Sequence, residues 1–296
     1  VLDAAAVTAL GIPGAVDAIT AALRSGLDPA ADPARIGIGL SAGQLLLMPS
    51  EGGDAAGVKV LTLCPDNPAR GLPRIQGAYL LFDRQTLALR AVLDGPALTT
   101  LRTPAVTMAA LLPALPEQPL HAVLIGSGPQ ARAHAAALAA FRELATTRYL
   151  VRDPERAGVA GWRLGSPEAD AALRAADVVI CATAARAPLF AAELLSQRVV
   201  VAAIGSHEPD ARELDARLLA RAVVVVEDVE TALREAGDVV LAIADGTLRA
   251  DELLPLRDVV SGARPVARDR PYVFKSVGMS WQDLVVAEAV LAAGPG

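Results

Sequence analysis

The residues His121-Ala-Val-Leu-Ile-Gly-Ser-Gly-Pro-Gln-Ala-Arg-Ala-His134 constrain the fold of this chain more than any other stretch. A short apolar run, 122–125, stops at Gly126-Ser127-Gly128-Pro129-Gln130-Ala131 and gives way to an Ala-rich helical pattern over 129–143. Buried strand, glycine turn and helix start follow in the order a dinucleotide pyrophosphate requires. Gly126 permits the turn, Gly128 lets the backbone approach the phosphates, and Ala131 lets helix and strand pack closely. The first N–H groups of the helix and its positive dipole end then face the anion. Plain strand–helix turns also produce G-x-G-x-x-A, but the alternation around this one favours the nucleotide reading.

That alternation begins at residue 120. Strands at 121–125, 147–151, 177–182, 198–204 and 222–227 are separated by helical segments near 129–143, 167–176, 211–220 and 228–236, which predicts a parallel, doubly wound sheet. The preceding residues read differently. A helical entry over 1–27 repeats Ile12, Val16, Ile19, Ala22 and Leu23 and stops at Gly26, and a Pro/Ala/Asp linker follows at 28–33. Strand-like runs at 35–40, 44–48, 57–63, 76–82 and 87–93 with turn residues between them predict a mostly antiparallel sheet. Asp94-Gly95-Pro96 reads as its end, and a helix over 98–115 follows, with Pro104 expected in its first turn. After Gly262 comes an irregular Arg/Pro segment, then Tyr272-Val-Phe-Lys-Ser-Val-Gly278 and a closing helix over 280–293. That helix has no place in the nucleotide sheet and is expected to return to the first domain. No internal repeat is visible.

Composition narrows the classes. With 53% hydrophobic and 20% charged residues, the chain of 296 is globular and long enough for one large core or two moderate ones. A net charge of −6 argues against nucleic acid as main partner. No apolar run is long enough to span a bilayer and no signal-peptide start is seen, so no membrane partner and a cytoplasmic location are expected. Cys64 and Cys181 stand far apart with no metal-ligand or redox spacing. Only two of the 27 basic residues are lysine, Lys59 and Lys275. Where ordinary surface lysines have given way to arginine, the two that persist point to sites needing a compact, deprotonatable ammonium, with chance placement as the alternative.

Four features could carry chemistry. Arg35 opens a strand, Lys59 sits inside Gly57-Val-Lys-Val-Leu, and Arg102-Thr103 reads as a helix opening. Val58 and Val60 point to the face opposite Lys59, and a cation turned into a cavity suits a carboxylate ligand; pairing with local acids is the alternative. Arg152-Asp153 ends the second nucleotide strand, where an acid binds the ribose of NAD and an arginine the 2′-phosphate of NADP. Both are present, and Arg152, directly after the strand, favours NADP. Gly205-Ser206-His207 lies at another strand's C-terminal end, where open α/β sheets hold ligands, while His121 and His134 read as structural. Finally, Lys275-Ser276-Val277-Gly278 reads as a small-residue turn able to contact a cofactor.

Gly57-Val-Lys59, Asn67-Pro68, Gly71-Leu-Pro73, Leu93-Asp-Gly95, Leu98-Thr-Thr-Leu-Arg-Thr103, Ile125-Gly-Ser-Gly-Pro-Gln-Ala131, Gly205-Ser-His-Glu-Pro-Asp210, Arg212-Glu-Leu214 and Phe274-Lys-Ser-Val-Gly278 run in order over nearly the whole chain. Together they closely resemble the ornithine cyclodeaminase/mu-crystallin family. The resemblance implies an α/β fold in which a Rossmann doubly wound parallel sheet, 118–275, is inserted in an α+β substrate and dimerisation domain, 1–117 with 276–296, and it implies a homodimer. Cyclodeaminases of the family carry a catalytic Asp where this chain has His207. The Gly-Ser-His-Glu-Pro-Asp run looks like the mu-crystallin and bacterial pyrroline-2-carboxylate reductase branch.

What that branch implies is NAD(P)H-dependent reduction of cyclic ketimines, Δ1-pyrroline-2-carboxylate and Δ1-piperideine-2-carboxylate, to L-proline and L-pipecolate. Arg35, Lys59 and Arg102 would fix the substrate carboxylate, Lys59 or an ordered water would supply the proton, and His207 would contact the substrate. The cofactor, NADPH with NADH as the alternative, would meet Thr103, Gly126, Ser127, Gly128, Pro129, Gln130, Arg152, Asp153, Thr183, Gly205, Ser206 and Ser276. The family also holds ornithine cyclodeaminases and alanine dehydrogenases, and a non-catalytic protein binding NADPH or a small ligand is an alternative of another class. Pro104 replaces a usual Ala and Pro129 a usual Val, both expected at a first helical turn, where Pro is tolerated.

Overall fold

Period-two alternation builds the first half of this computed structural model, which describes residues 1–294. After α1 (Ala4–Thr8) and α2 (Gly11–Arg24), strands β1 (Ile36–Leu40), β2 (Gly43–Gly52), β3 (Ala55–Leu63), β4 (Ile75–Asp83) and β5 (Leu89–Asp94) pair antiparallel in chain order. Ala55, Gly57, Lys59 and Leu61 of β3 face inward, with Val58 and Val60 between them on the other face. The expected single entry helix is two, because Gly11 adopts φ +70 and resets the chain direction.

Helix α3 (Gly95–Leu111) corrects a second expectation. Asp94 Oδ1 accepts from Ala97 N at 2.7 Å, so Asp94-Gly95-Pro96 starts the helix instead of separating it from the sheet. Arg102 and Thr103 therefore lie in mid-helix, and Pro104 is interior. It denies the carbonyl of Thr100 its helical N–H and strains the turn before it.

The second half is parallel: β6 (Leu120–Ile125), α4 (Pro129–Phe141), β7 (Leu144–Val151), β8 (Gly161–Arg163), α5 (Pro167–Ala175), β9 (Val178–Cys181), β10 (Val200–Ala203), α6 (Ala216–Leu219), β11 (Val223–Val226), α7 (Val229–Glu235), α8 (Gly237–Ala244), β12 (Leu253–Pro255), α9 (Leu256–Val260) and β13 (Tyr272–Lys275). The sheet order is β12-β11-β13-β10-β9-β6-β7-β8. Its central strands read as continuous Val/Ile/Ala runs because both faces are covered. The chain leaves β6 for β7 on one side and returns to β9 on the other, which makes β6 the switch point where such sheets open a crevice. Lys275 closes strand β13 and is not part of a turn, and the helix expected over 211–220 shrinks to α6. Asp238 Oδ1 takes the N–H groups of Glu213 and Leu214, both at 2.8 Å, and holds those residues out of a helix.

The last helix, α10 (Ser280–Ala293), packs on α2, β2, β3 and β4. Nearly its whole circumference is buried, so it shows no polar stripe. Two compact units result, Val1–Val106 with the chain from Met279 onward, and Thr107–Gly278. The first boundary falls inside α3, not at the 117/118 expected from sequence, because the helix runs on without a loop. On the face of the antiparallel sheet away from α10, the rows Ile36–Leu47–Val60–Ala78 and Pro49–Val58–Leu80–Val92 are apolar, and Ile36, Ile38 and Leu40 are 51, 42 and 51% exposed. Among the described residues no helix is long and apolar enough to cross a membrane.

Candidate active site

In the first unit the inward row Met48–Lys59–Tyr79–Leu93 puts an ammonium into an otherwise apolar layer. Lys59 is 1% exposed and donates to Asp283 Oδ2 at 2.7 Å. Asp283, on α10, is fully buried, and its Oδ1 lies 3.3 Å from Arg102 Nε. Arg102 also donates through one terminal nitrogen to Gln282 Oε1 at 2.6 Å. Two buried cations thus share one carboxylate, an arrangement left with positive charge to spare for an anion. Burial, then repulsion from Arg102, bring the Lys59 ammonium down to about 7 against the pull of Asp283, and Arg35 adds to the repulsion. Arg35, half-buried, directly precedes β1.

Asp32 borders this cluster. It accepts from Trp281 N at 2.7 Å, tying the linker to the start of α10, and burial raises its carboxyl to about 6. The Tyr79 hydroxyl is buried without a hydrogen bond, and burial pushes its pKa up. It occupies the space over Gly57, where a Cβ would come within 2.2 Å of the hydroxyl oxygen. Thr103 is buried and donates to Thr99 O at 2.8 Å within its own helix.

In the second unit a cavity of about 800 Å³ opens at the carboxyl ends of β6, β7 and β9. It brings together Gly126, Ser127, Arg152, Asp153 and Thr183, and adds Arg156, which sequence reasoning missed. Gly126 adopts φ +110, and a Cβ there would lie 2.6 Å from Ala182 O, so only glycine fits. Gly128 is the N-cap of α4, no side chain caps that helix, Pro129 stands in its first turn as expected, and a Cβ on Gly128 would meet open space. Gln130 follows on the same helix and gives its carbonyl to His134 Nδ1–H at 2.7 Å. Burial lowers His134 to about 4, so the neutral ring accepts from Thr107 Oγ1 at Nε2, 3.0 Å away. Arg132 donates to Ser127 O at 3.0 Å and to Gly158 O at 3.1 Å, fastening the glycine turn to the loop after β7.

Three buried carboxylates, none given a role by sequence reasoning although Glu213 lies in a motif of the family resemblance, brace the loops at this edge of the sheet. Glu213 accepts from Thr183 N, Thr183 Oγ1 and Gly205 N, each at 2.8 Å. Burial raises the Glu213 carboxyl, and Lys275 opposes that. Asp238 pairs with Lys275 Nζ at 2.9 Å, and the same ammonium donates to Ser206 O at 2.7 Å. Glu227 accepts from Ser276 Oγ at 2.8 Å and from the N–H groups of Val277 and Gly278. The Ser206 hydroxyl donates to Ala211 O at 2.7 Å. His207 is exposed, on a loop whose Glu208 and Asp210 both pair with Arg186. The available signal for Asp238 was an acid inside Gly237-Asp-Val-Val-Leu, a helical run otherwise apolar.

A doubly wound parallel domain with a glycine turn at its switch point, joined to an antiparallel domain holding a buried cation pair, defines a class of two-domain α/β proteins. Within it, residues 7–293 match the model of the ornithine cyclodeaminase/mu-crystallin family, and the chain belongs to that family. Over 260 residues it is 37% identical to a Δ1-pyrroline-2-carboxylate/Δ1-piperideine-2-carboxylate reductase of Azospirillum brasilense, covering 85% of this chain and 81% of that one. The structure of Thermococcus litoralis Δ1-pyrroline-2-carboxylate reductase in complex with NADH and L-proline superposes with TM-score 0.87 at 25% identity, covering 100% of this chain and 98% of that one. An archaeal alanine dehydrogenase dimer with bound NAD gives 0.85 at 26% identity, covering 98% and 94%.

Proposed function

We propose that this chain is an NAD(P)H-dependent reductase of cyclic ketimines, taking Δ1-pyrroline-2-carboxylate and Δ1-piperideine-2-carboxylate to L-proline and L-pipecolate. The observation that carries the reading is the buried Lys59 ammonium, brought down to about 7 beside Arg102, in a chain whose relatives bear that reductase name. The glycine turn, the α4 N-terminus without a side-chain cap and the 800 Å³ cavity fit a dinucleotide. Bound there, a reduced nicotinamide supplies the hydride.

The chain's own residues do the rest. The guanidinium of Arg102, aided by Arg35, takes the substrate carboxylate and so fixes the plane of the adjoining C=N. Lys59 Nζ gives a proton to the ring nitrogen as a new C–H bond forms at C2. The C=N π pair becomes the N–H bond pair, and Lys59 regains its proton from solvent. His207 is assigned no proton-transfer step. Asp153 Oδ1 accepts from Glu155 N at 3.1 Å, while Arg152 and Arg156 both line the cavity. Two guanidinium groups against one carboxylate already hydrogen-bonded to backbone favour a 2′-phosphate, hence NADPH. The half-buried apolar rows of the antiparallel sheet, continued by the exposed Ile36, Ile38 and Leu40, support a homodimer through that face.

The test is oxidation of NADPH, followed at its absorbance band, with each cyclic imine and with NADH in parallel. Rapid oxidation with preference for NADPH is expected. No oxidation with either ring overturns the reading and turns attention to ornithine and alanine. The pH profile adds a second expectation. A proton donor works only while charged, so kcat should be full below pH about 7 and fall as Lys59 deprotonates above it. A rate that holds level up to the range where free lysine titrates removes Lys59 as the donor.

A further inference from the structure

We infer that Asp283, with Gln282 beside it, is the positioning residue for both cations of the site: it keeps Lys59 protonated and sets the direction of Lys59 and Arg102 toward the ligand. The kinetic part of this inference rests on the proposed reductase reading; the rest does not.

An ammonium 1% exposed would shed its proton unless a counter-charge lay against it. Asp283 Oδ2 supplies that charge at 2.7 Å from Nζ. A free ammonium turns about its last bond, and engaging one N–H fixes where the other two point. Arg102 is held in the same way. One of its terminal nitrogens donates to Gln282 Oε1 at 2.6 Å, and its Nε lies 3.3 Å from Asp283 Oδ1 as an ion-pair contact without a hydrogen bond, so α10 holds the guanidinium by one hydrogen bond and one charge contact. Both anchors stand in the first turn of a helix that is buried nearly all round, where a polar pair has no packing reason to exist.

The charges facing Lys59 come from three elements: Asp283 on α10, Arg102 on α3, and Arg35 before β1. Asp32, from the linker, acts on Asp283, and with Asp283 and Glu288 it acts on Tyr79 of β4. Both arginines repel the ammonium, so Asp283 is what opposes burial and repulsion together.

Two lysines make a direct test possible, because protein labelled with lysine carrying 15N at Nζ gives only two Nζ signals, Lys59 and Lys275, the second an internal reference. Asp283→Asn keeps the shape and removes the charge. It should lower the Lys59 titration midpoint by about 1–3 pH units. The alkaline limb of kcat should move down with it, and Asp283→Glu should return both toward wild type. A folded Asp283→Asn protein with the wild-type Lys59 midpoint and pH profile overturns the inference. Should Asp283→Asn not fold, Arg102→Met replaces it: with one cation left on the carboxylate, the Lys59 midpoint should rise, and no movement is equally fatal. If the midpoint moves as expected while wild-type protein reduces no imine, the positioning role stands and the reductase reading falls.

Discussion

Replacing Lys59 with methionine is expected to lower turnover of Δ1-pyrroline-2-carboxylate by about 10²–10⁴-fold, the range for losing a general acid. Methionine keeps the length of the stem and its packing between Met48 and Tyr79 in the row across the sheet. It removes the proton and the positive charge. NADPH affinity should not change, since the groups lining the dinucleotide cavity all belong to the other unit. Fluorescence titration with NADPH reads that half of the expectation. The substitution leaves Asp283 balanced by Arg102, so stability should fall only by the lost charge-assisted hydrogen bond, about 1.5–3 kcal/mol. Lys59→Met combined with Asp283→Asn leaves Arg102 buried without a counter-charge and should cost about 3–5 kcal/mol more, again without turnover. If the double variant regained activity, or if Lys59→Met turned over normally, the proton would have to come from elsewhere.

The lysine was legible because composition singled it out. A sequence that writes arginine at nearly every basic position keeps lysine where guanidinium fails, and both lysines prove to be buried ion-pair members. The five antiparallel strands and the β6–α4 turn were legible from alternation and from glycine placement, which are local signals. The anchors were not. Asp283 lies 224 residues from Lys59, and Gln282 lies 180 from Arg102, so nothing in either neighbourhood announces the pairing. Glu213 and Glu227 look like ordinary surface acids until the sheet brings loops after β9, β10 and β13 over them. Strand β13 was visible as an apolar run, but its insertion between β10 and β11 depends on pairing with Val200–Ala203 and Val223–Val226, which no local pattern encodes. The helix start at Gly95 was missed for a different reason. Asp94-Gly95-Pro96 reads as a terminator, and the same three residues serve as a cap, a tight approach to Gly77 and Ala78, and a first-turn proline.

The second large effect is expected at Glu213, which touches neither cation of the first unit. Its two oxygens gather the N–H groups of Thr183 and Gly205 and the Thr183 hydroxyl, all at 2.8 Å, and Thr183 lines the cavity. The loops have no room to find other partners: a Cβ on Gly205 would lie 2.0 Å from Thr183 O and 2.6 Å from Glu213 Oε1. Glu213→Ala therefore strands buried donors on two loops at once, at about 1–3 kcal/mol for each unsatisfied group. For the three groups this comes to about 3–9 kcal/mol, which should lower Tm by roughly 6–36 °C. Glu213→Gln separates bracing from bulk. Its amide can still accept from Thr183 through one oxygen, but it turns an N–H₂ toward Gly205 N, so about half of the stability should return. Thr183 and Gly205 stand at the mouths of adjacent parallel strands, so loosening them should weaken NADPH binding by about tenfold for each 1.4 kcal/mol of lost preorganisation. The Lys59 titration should stay where it is. Calorimetry and NADPH titration on the two variants decide the point: a Glu213→Ala protein with wild-type Tm and NADPH affinity would mean that these loops hold their shape without the carboxylate.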